Sequence, residues 1–305
     1  MPSFSFCLYT IGVNQLHRQK SNRPVAEFNS RRHDLFDVVR IFFEHHLGAK
    51  GISNEKDGSY IRLTGDIEQQ HRSFWPTLES GHFGTAGKVV DTTTGDDTYA
   101  LNHRDAPTYP LRQFFTVPRS GDCAIWATEV AGNASAITPL WNSLNDWFRS
   151  EYDADRLTLN RAPLQNTDAW NDYIDASELQ QIKFLTYVRD SDAAVGMRTK
   201  EFTAKSGRGK RLPKEWITRA YARDLPPSTV FHIQGLPDAD EIHLQIEHDG
   251  KTRNIIVERE FPRFLYPVGE DPQRRPDNTS FQEAVLSVVS ASLDDMGVSR
   301  GDWQA

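Results

Sequence analysis

LRQFFTVPRSGDCAIWATEVAGNASAITPLWNSLNDWF, residues 111–148, is the stretch whose pattern decides the fold. LRQFFTVP (Leu111–Pro118) and CAIWATEV (Cys123–Val130) are short runs rich in aromatic and β-branched residues, which marks strands. Pro118, Ser120 and Gly121 supply the turn between them, and Gly132-Asn133 the turn that follows. Thr138 then reads as a helix cap with Pro139 at the first helical position. Leu140, Leu144, Trp147 and Phe148 recur at helical spacing and give that helix one apolar face. The unit predicts a sheet with a helix packed on it.

Toward the N-terminus the same signals recur. Ser3–Val13 reads as a strand, His17–Arg32 as a basic loop, and Asp34–Leu47 as a helix with Leu35, Val38, Val39, Phe42 and Phe43 on one face, stopped by Gly48. Ser59–Ile67 is a further strand, and Gly87–Leu101 is a hairpin turning at Thr-Gly-Asp-Asp. Toward the C-terminus, Arg156–Asn160, Gln181–Asp190, Ser228–Gln234 and Arg263–Val268 read as strands, with a helix over Asp168–Ala176. Glu241–Glu260 is a hairpin turning at Asp249-Gly250. Gly269–Asn278 is a loop, and Ser280 with Glu283 forms a capping box for a closing helix that runs through Leu293. The fold class expected is α+β, with two mixed sheet-and-helix domains, 1–152 and 153–305.

The composition sets the outer limits. The chain has 305 residues, 38% hydrophobic and 25% charged, as globular proteins do. No apolar run approaches the roughly 20 residues of a membrane helix, so direct membrane insertion is not expected. The first residues lack the basic region and cleavage site of a secretory signal, and the cysteines are two, Cys7 and Cys123, which excludes a disulfide scaffold. The cytoplasm is the expected compartment.

Against a formal charge of −7, one segment stands out: Met197–Arg223 carries nine Lys and Arg against two Glu, a net +7. Its centre, KSGRGKRLPKEW (residues 205–216), places Lys205, Arg208, Lys210, Arg211 and Lys214 close together, with Arg219 on the short helix that Pro213 opens. Gly207 and Gly209 allow the backbone to follow a phosphate chain, and Trp216 and Tyr221 are placed to stack on bases or to pack inward. These six cations are the candidate nucleic-acid contacts, and the competing reading is a solvated basic loop. Gly209-Lys210 is not a P-loop, because Arg211 stands where Ser or Thr would hold magnesium. No cofactor is expected.

The ten histidines do not form a zinc pattern. His45-His46 point about 100° apart on a helix, and His243 and His248 fall on opposite faces of a strand. Cys123 has no indicated base. Glu201 with Lys205, and the acidic strand end Glu258–Glu260, are the places where a nuclease-like metal site would have to be sought. Metal and catalytic residues are therefore left unassigned.

In order of elements, LRQFFTVPRSGDCAIWATEVAGNASAITPLWNSLNDWF, followed by QIKFLTYVRD and a basic segment, resembles the RexA-like phage-exclusion proteins of prophage loci. The likeness covers roughly 80 residues and is one of pattern, with no catalytic signature. It implies a two-domain, homodimeric, DNA-binding protein of antiviral defence, with a membrane protein or other defence component as a further partner. Two other classes stay open: a metal-dependent nuclease or hydrolase, and an adaptor whose basic loop docks on an acidic protein.

Overall fold

The computed structural model describes residues 4–16, 18–48, 50–132, 134–164, 174–189, 197–207, 211–222, 224–248, 251–257, 265–269 and 274–304. The chain is α+β and divides into two compact units, Met1–Leu164 with Phe264–Ala305, and Gln165–Arg263. The second is an insertion in the first. A boundary at 152 does not follow this line, because the strand after it pairs along its length with the first strand of the chain.

In the first unit the elements run β1 (Phe4–Gln15), β2 (Arg18–Arg23), α1 (Leu35–Ile41), β3 (Ile52–Asn54), β4 (Ser59–Gln70), β5 (Ser73–His82), β6 (Gly87–Val90), β7 (Asp97–Leu101), β8 (Thr108–Thr116), β9 (Cys123–Ala131), β10 (Ala134–Ser135), α2 (Ile137–Glu151) and β11 (Leu157–Pro163). The main sheet has the order β11-β1-β9-β8-β5-β4-β3, and all these neighbours are antiparallel. Its central strands are buried on both faces, which is why they read as near-continuous apolar runs. Cys7, Tyr9, Ile11 and Val13 of β1 join Phe115 and Trp126 under α1 and α2, while Phe6 and Leu8 join Phe114, Ile125 and Ala127 on the opposite face.

Several expectations are corrected in detail. His17–Arg32 is not all loop: β2 pairs with the end of β1 beyond the reach of β9, and Arg23 donates to Gln15 Oε1 (2.6 Å) and to Phe28 O (3.1 Å). Asp34 caps α1 by accepting from Phe36 N, and the helix widens into a π-helical turn over Phe42–Leu47 before Gly48. β5 carries Pro76, which has no N–H to donate, and β4 is bulged between Thr64 and Glu68 opposite it. α2 begins at Ile137 rather than after Thr138, since Ser135 Oγ accepts from Ile137 N (3.2 Å).

In the second unit, β12 (Glu178–Arg189), β13 (Met197–Lys205), α3 (Glu215–Tyr221), α4 (Pro227–Phe231), β14 (Glu241–His248) and β15 (Lys251–Ile256) follow. The sheet order is β13-β12-β14-β15. Ser228–Gln234 is not a strand. Pro227 opens α4, His232 ends it in a left-handed conformation, and Phe231 packs against Phe184 and Phe202. The helix expected over Asp168–Ala176 and the turn at Asp249-Gly250 lie largely or wholly outside the described residues.

The chain then returns to the first unit as β16 (Tyr266–Pro267) and α5 (Asn278–Asp295). β16 pairs with Ser5 and Phe6 of β1, in line with β11, whose last pair is Pro163 with Tyr9. Leu164 N donates to Leu8 O, and Val268 N donates to Phe4 O. Both ends of the insertion are thus fastened to one strand. The cap of α5 is Asp277, accepting from Ser280 N (2.8 Å), so the helix starts before the Ser280 and Glu283 pair. Phe281, Val285, Val289 and Leu293 bury its inner face.

Beneath the start of α5, Arg112 of β8 donates to Glu129 of β9 and to the carbonyls of Pro276 and Asp277 (2.9 and 2.8 Å). Its guanidinium also lies over the Phe281 ring, 4.2 Å from the centroid, and Arg275 completes the pairing of Glu129. Among the described residues, no helix is long and apolar enough to cross a membrane.

Candidate nucleic-acid interface

The second-unit sheet has one apolar and one polar face, as alternation requires. Ile182, Phe184, Ile242, Leu244, Ile246 and Ile255 are buried on the first. On the other, Lys205 pairs in register with Gln181, and Gln181 with Gln245, while Lys183 stands between Thr203 and His243. These side chains are partly or fully exposed. Gln245 donates to Asn254 (3.1 Å), and Lys183 pairs with Glu201 at 3.0 Å. The hydrogen bond from Lys183 holds the Glu201 carboxyl below its usual range, with a smaller contribution from Thr203.

Of the six predicted cations, Lys205 is exposed at the end of β13. Pairing continues one residue past it, with Ser206 N donating to Gln180 O and Ser206 Oγ to Gln180 Oε1. Arg211 reaches Glu178 at 2.6 Å with 74% of its side chain still exposed, and Lys214 donates to Asp175 O. Lys205, Arg211 and Lys214 are therefore gathered at the entry of β12, within residues 175–181. Arg219 is not part of this group: its guanidinium donates twice to Asp224 O (3.0 and 2.7 Å) and closes the end of α3. Trp216 and Tyr221 are half-buried on that helix, whose Ile217 and Ala220 face inward. Arg208 and Lys210 lie outside the described residues, as do Glu258 and Glu260.

Among the described residues, no group of three or more His, Cys, Asp or Glu is placed to hold a metal. His243 Nε2 is bonded to Glu241 (3.0 Å). Burial, with Asp122 beside it, pushes the Cys123 thiol up to about 11, so it stays protonated at neutral pH and is a poor nucleophile.

A cleft in the first unit has no signature in the sequence. It encloses about 890 Å³ between β4–β5 and the β6–β7 ribbon, walled by Tyr60, Phe83, Val89, Tyr99 and Leu101. Arg62 is held there by Glu79 (2.6 Å), and Asp105 accepts from Tyr99 and Asn102, whereas Arg104 makes no ion pair among the described residues. The walls come from two consecutive hairpins, β4–β5 and β6–β7, whose residues carry no chemical motif, so spacing alone gives no sign of the cleft. Compared with known proteins, the chain matches no family model and no curated protein sequence.

Proposed function

We propose that this chain is a non-enzymatic DNA-binding protein with little sequence preference, gripping the phosphate backbone through its second unit. The observation that carries the reading is the placing of Lys205, Arg211 and Lys214 against Gln181, Glu178 and Asp175, at and just ahead of the start of β12, inside a segment of net +7. Gln181 on the polar sheet face adds a neutral donor, and Lys183 a further cation once a phosphate displaces Glu201 from it. The pairing of Arg211 with Glu178 does not oppose this. An exposed pair of that kind is worth about 0–1 kcal/mol, so a phosphate can displace the carboxylate. The setting we propose, a homodimer in antiphage defence or prophage exclusion with a membrane or defence partner, rests on the resemblance of residues 111–148 to phage-exclusion proteins.

Gel-shift titration of the full chain against unrelated duplexes and single strands is the direct test. Binding should be similar on all duplexes and should fall steeply from low to physiological salt, as counterion release requires. No shift on any duplex or single strand at low salt would sink the proposal.

A second reading has its own observation: Arg211 and Arg219 already hold carboxylates, Glu178 and Asp224. The same cations suit an acidic protein partner. Displacement of labelled duplex by poly-glutamate as effectively as by unlabelled duplex would favour this adaptor reading.

A further inference from the structure

The cleft of about 890 Å³ in the first unit lies between a sheet face and a ribbon face. On the sheet side, Arg62 of β4 stands in register with Glu79 of β5, and both line the cleft. On the ribbon side, Val89 is in register with Tyr99 and Gly87 with Leu101, so Val89, Tyr99 and Leu101 share the face that lines it. Among the described residues the ribbon pairs only with itself. Its lining face is left open, with Val89 43% and Tyr99 54% exposed. A two-stranded ribbon standing alone is marginal in water, and an apolar face gains by being covered.

The charges of the lining define what covers it. Five charged residues border the cleft, and three of them are already engaged. Glu79 accepts from Arg62 Nε (2.7 Å) and from Thr108 Oγ1 (3.3 Å). Asp105 accepts from Tyr99 Oη (3.0 Å) and from Asn102 N (2.7 Å). The other two, Arg104 and Glu55, are exposed, and neither makes a hydrogen bond or ion pair with a described residue. The cleft thus presents a guanidinium to an anion and a carboxylate to a cation, beside apolar surface from Phe83, Val89, Leu101 and Pro107. A purely anionic guest would be repelled by Glu55, and a purely cationic one by Arg104. The matching guest carries one charge of each sign and apolar groups. A single amino acid has both charges but fills little of a volume near the upper end of ligand clefts, about 300–1,000 Å³. A short peptide has an ammonium at one end, a carboxylate at the other, and apolar side chains between. Its amides also suit the Ser53 hydroxyl on the rim, which can donate or accept.

We propose that the cleft binds a short apolar peptide with both ends free, its carboxylate on Arg104 and its ammonium on Glu55. This goes beyond duplex binding by the second unit and stands independently of it. The test uses the full chain at neutral pH and low salt with free-ended tripeptides and tetrapeptides of Val, Leu and Phe, read by saturation-transfer NMR and calorimetry. At least one is expected to bind with Kd below about 1 mM. Acetylating its amino end, or amidating its carboxyl end, should each weaken binding about fivefold. Arg104→Gln should weaken the free-ended peptide equally and abolish the cost of amidation while keeping that of acetylation. Glu55→Gln should do the reverse. Both residues are exposed, so the variants keep the fold, and thermal melts check it. No binding of any probe to the wild type would overturn the proposal. Binding that is indifferent to the charge at either end, or that both variants leave unchanged, would overturn it as well.

Discussion

Arg112 and Glu129, on neighbouring strands of the first unit, form a buried ion pair with Nη2 2.7 Å from Oε1 and side-chain exposures of 7% and 1%. Arg112 also holds the carbonyls just ahead of α5, so the pair ties the sheet to the helix that covers it. Glu129→Ala would leave Arg112 buried without its carboxylate, and the expected loss in urea denaturation is about 3–5 kcal/mol. Replacing both partners, Arg112→Met with Glu129→Leu, should cost less than the single change. A single-variant loss under about 1 kcal/mol would show that water reaches the site.

The same carboxylate sets a pH dependence. Burial by itself would raise the Glu129 pKa, but hydrogen bonds from Arg112 and Arg275 outweigh it and hold the carboxyl below its usual range. The folded value is thus lower than the unfolded one, about 4.3. The stabilisation is present above that unfolded value and is lost as pH falls through the folded value. The urea midpoint should drop on acidification below about pH 4.3. In Glu129→Gln that drop should be shallower, and an identical acid limb in both proteins would assign the dependence to other carboxylates.

Two glycines of the main sheet make an internal comparison. A Cβ on Gly81 would stand 2.1 Å from Pro107 O, a backbone atom, while one on Gly12 would meet side-chain atoms of Asn160 and Asn22 at 2.5 and 2.7 Å. Amide tips can move aside more easily than the main-chain carbonyl that leads into β8. Gly81→Ala is expected to cost about 1–3 kcal/mol, and Gly12→Ala distinctly less, by thermal or urea melts. The reverse order would mean that the chain entering β8 yields more readily than the asparagine side chains around Gly12.

For the basic segment, changing Lys205, Arg208, Lys210 and Arg211 together to Ala should weaken binding equally on unrelated duplexes. The slope of log affinity against log salt should shrink by about 0.9 for each phosphate no longer neutralised. Stability should shift by less than about 0.5 kcal/mol, as for exposed charges. Unchanged affinity and slope would make the loop a solvated one, and Arg18, Lys20, Arg23, Arg31 and Arg32 the next residues to change.

Cys123 should react slowly with iodoacetamide at neutral pH, and its rate should keep rising tenfold per pH unit toward about 11, where the half-buried thiol ionises. Fast modification at pH 7 would show a thiolate that the surroundings of Asp122 do not favour.

What can be read in the chain depends on whether a residue's neighbours in space are also its neighbours in sequence. Phe114, Phe115, Ile125 and Trp126 declare central strands because both faces of those strands are buried. The β6–β7 hairpin is legible from its turn, where Asp91 accepts from Thr93 and Thr94 and Gly95 takes a positive φ. β2 is hidden because its sequence, RQKSNR, is polar and basic and shows no apolar period. In Ser228–Gln234, Val230 and Phe231 look like strand residues, but the preceding prolines set the backbone for a helix. The basic cations are identifiable by composition. The partners that Arg211 and Lys214 meet, the Glu178 carboxylate and the Asp175 carbonyl, are not, since both lie more than 30 positions earlier in the chain. Arg104 and Glu55 are 49 positions apart and lie beyond any local pattern.

Placing β16 in line with β11 along β1 has a consequence for synthesis of the chain. Ser5 meets Pro267 in that lane, so one of the first strands to leave the ribosome waits for a partner 262 positions later. At about 5–20 residues per second, that is a delay of roughly 13–50 s. Phe6 and Leu8 wait longer still for α5 to cover them. The inserted unit pairs only with itself in its sheet and can assemble meanwhile from shorter-range contacts. Nascent first-unit sheet is therefore the stretch that depends most on a chaperone, and slowing translation after residue 263 should raise the aggregated fraction.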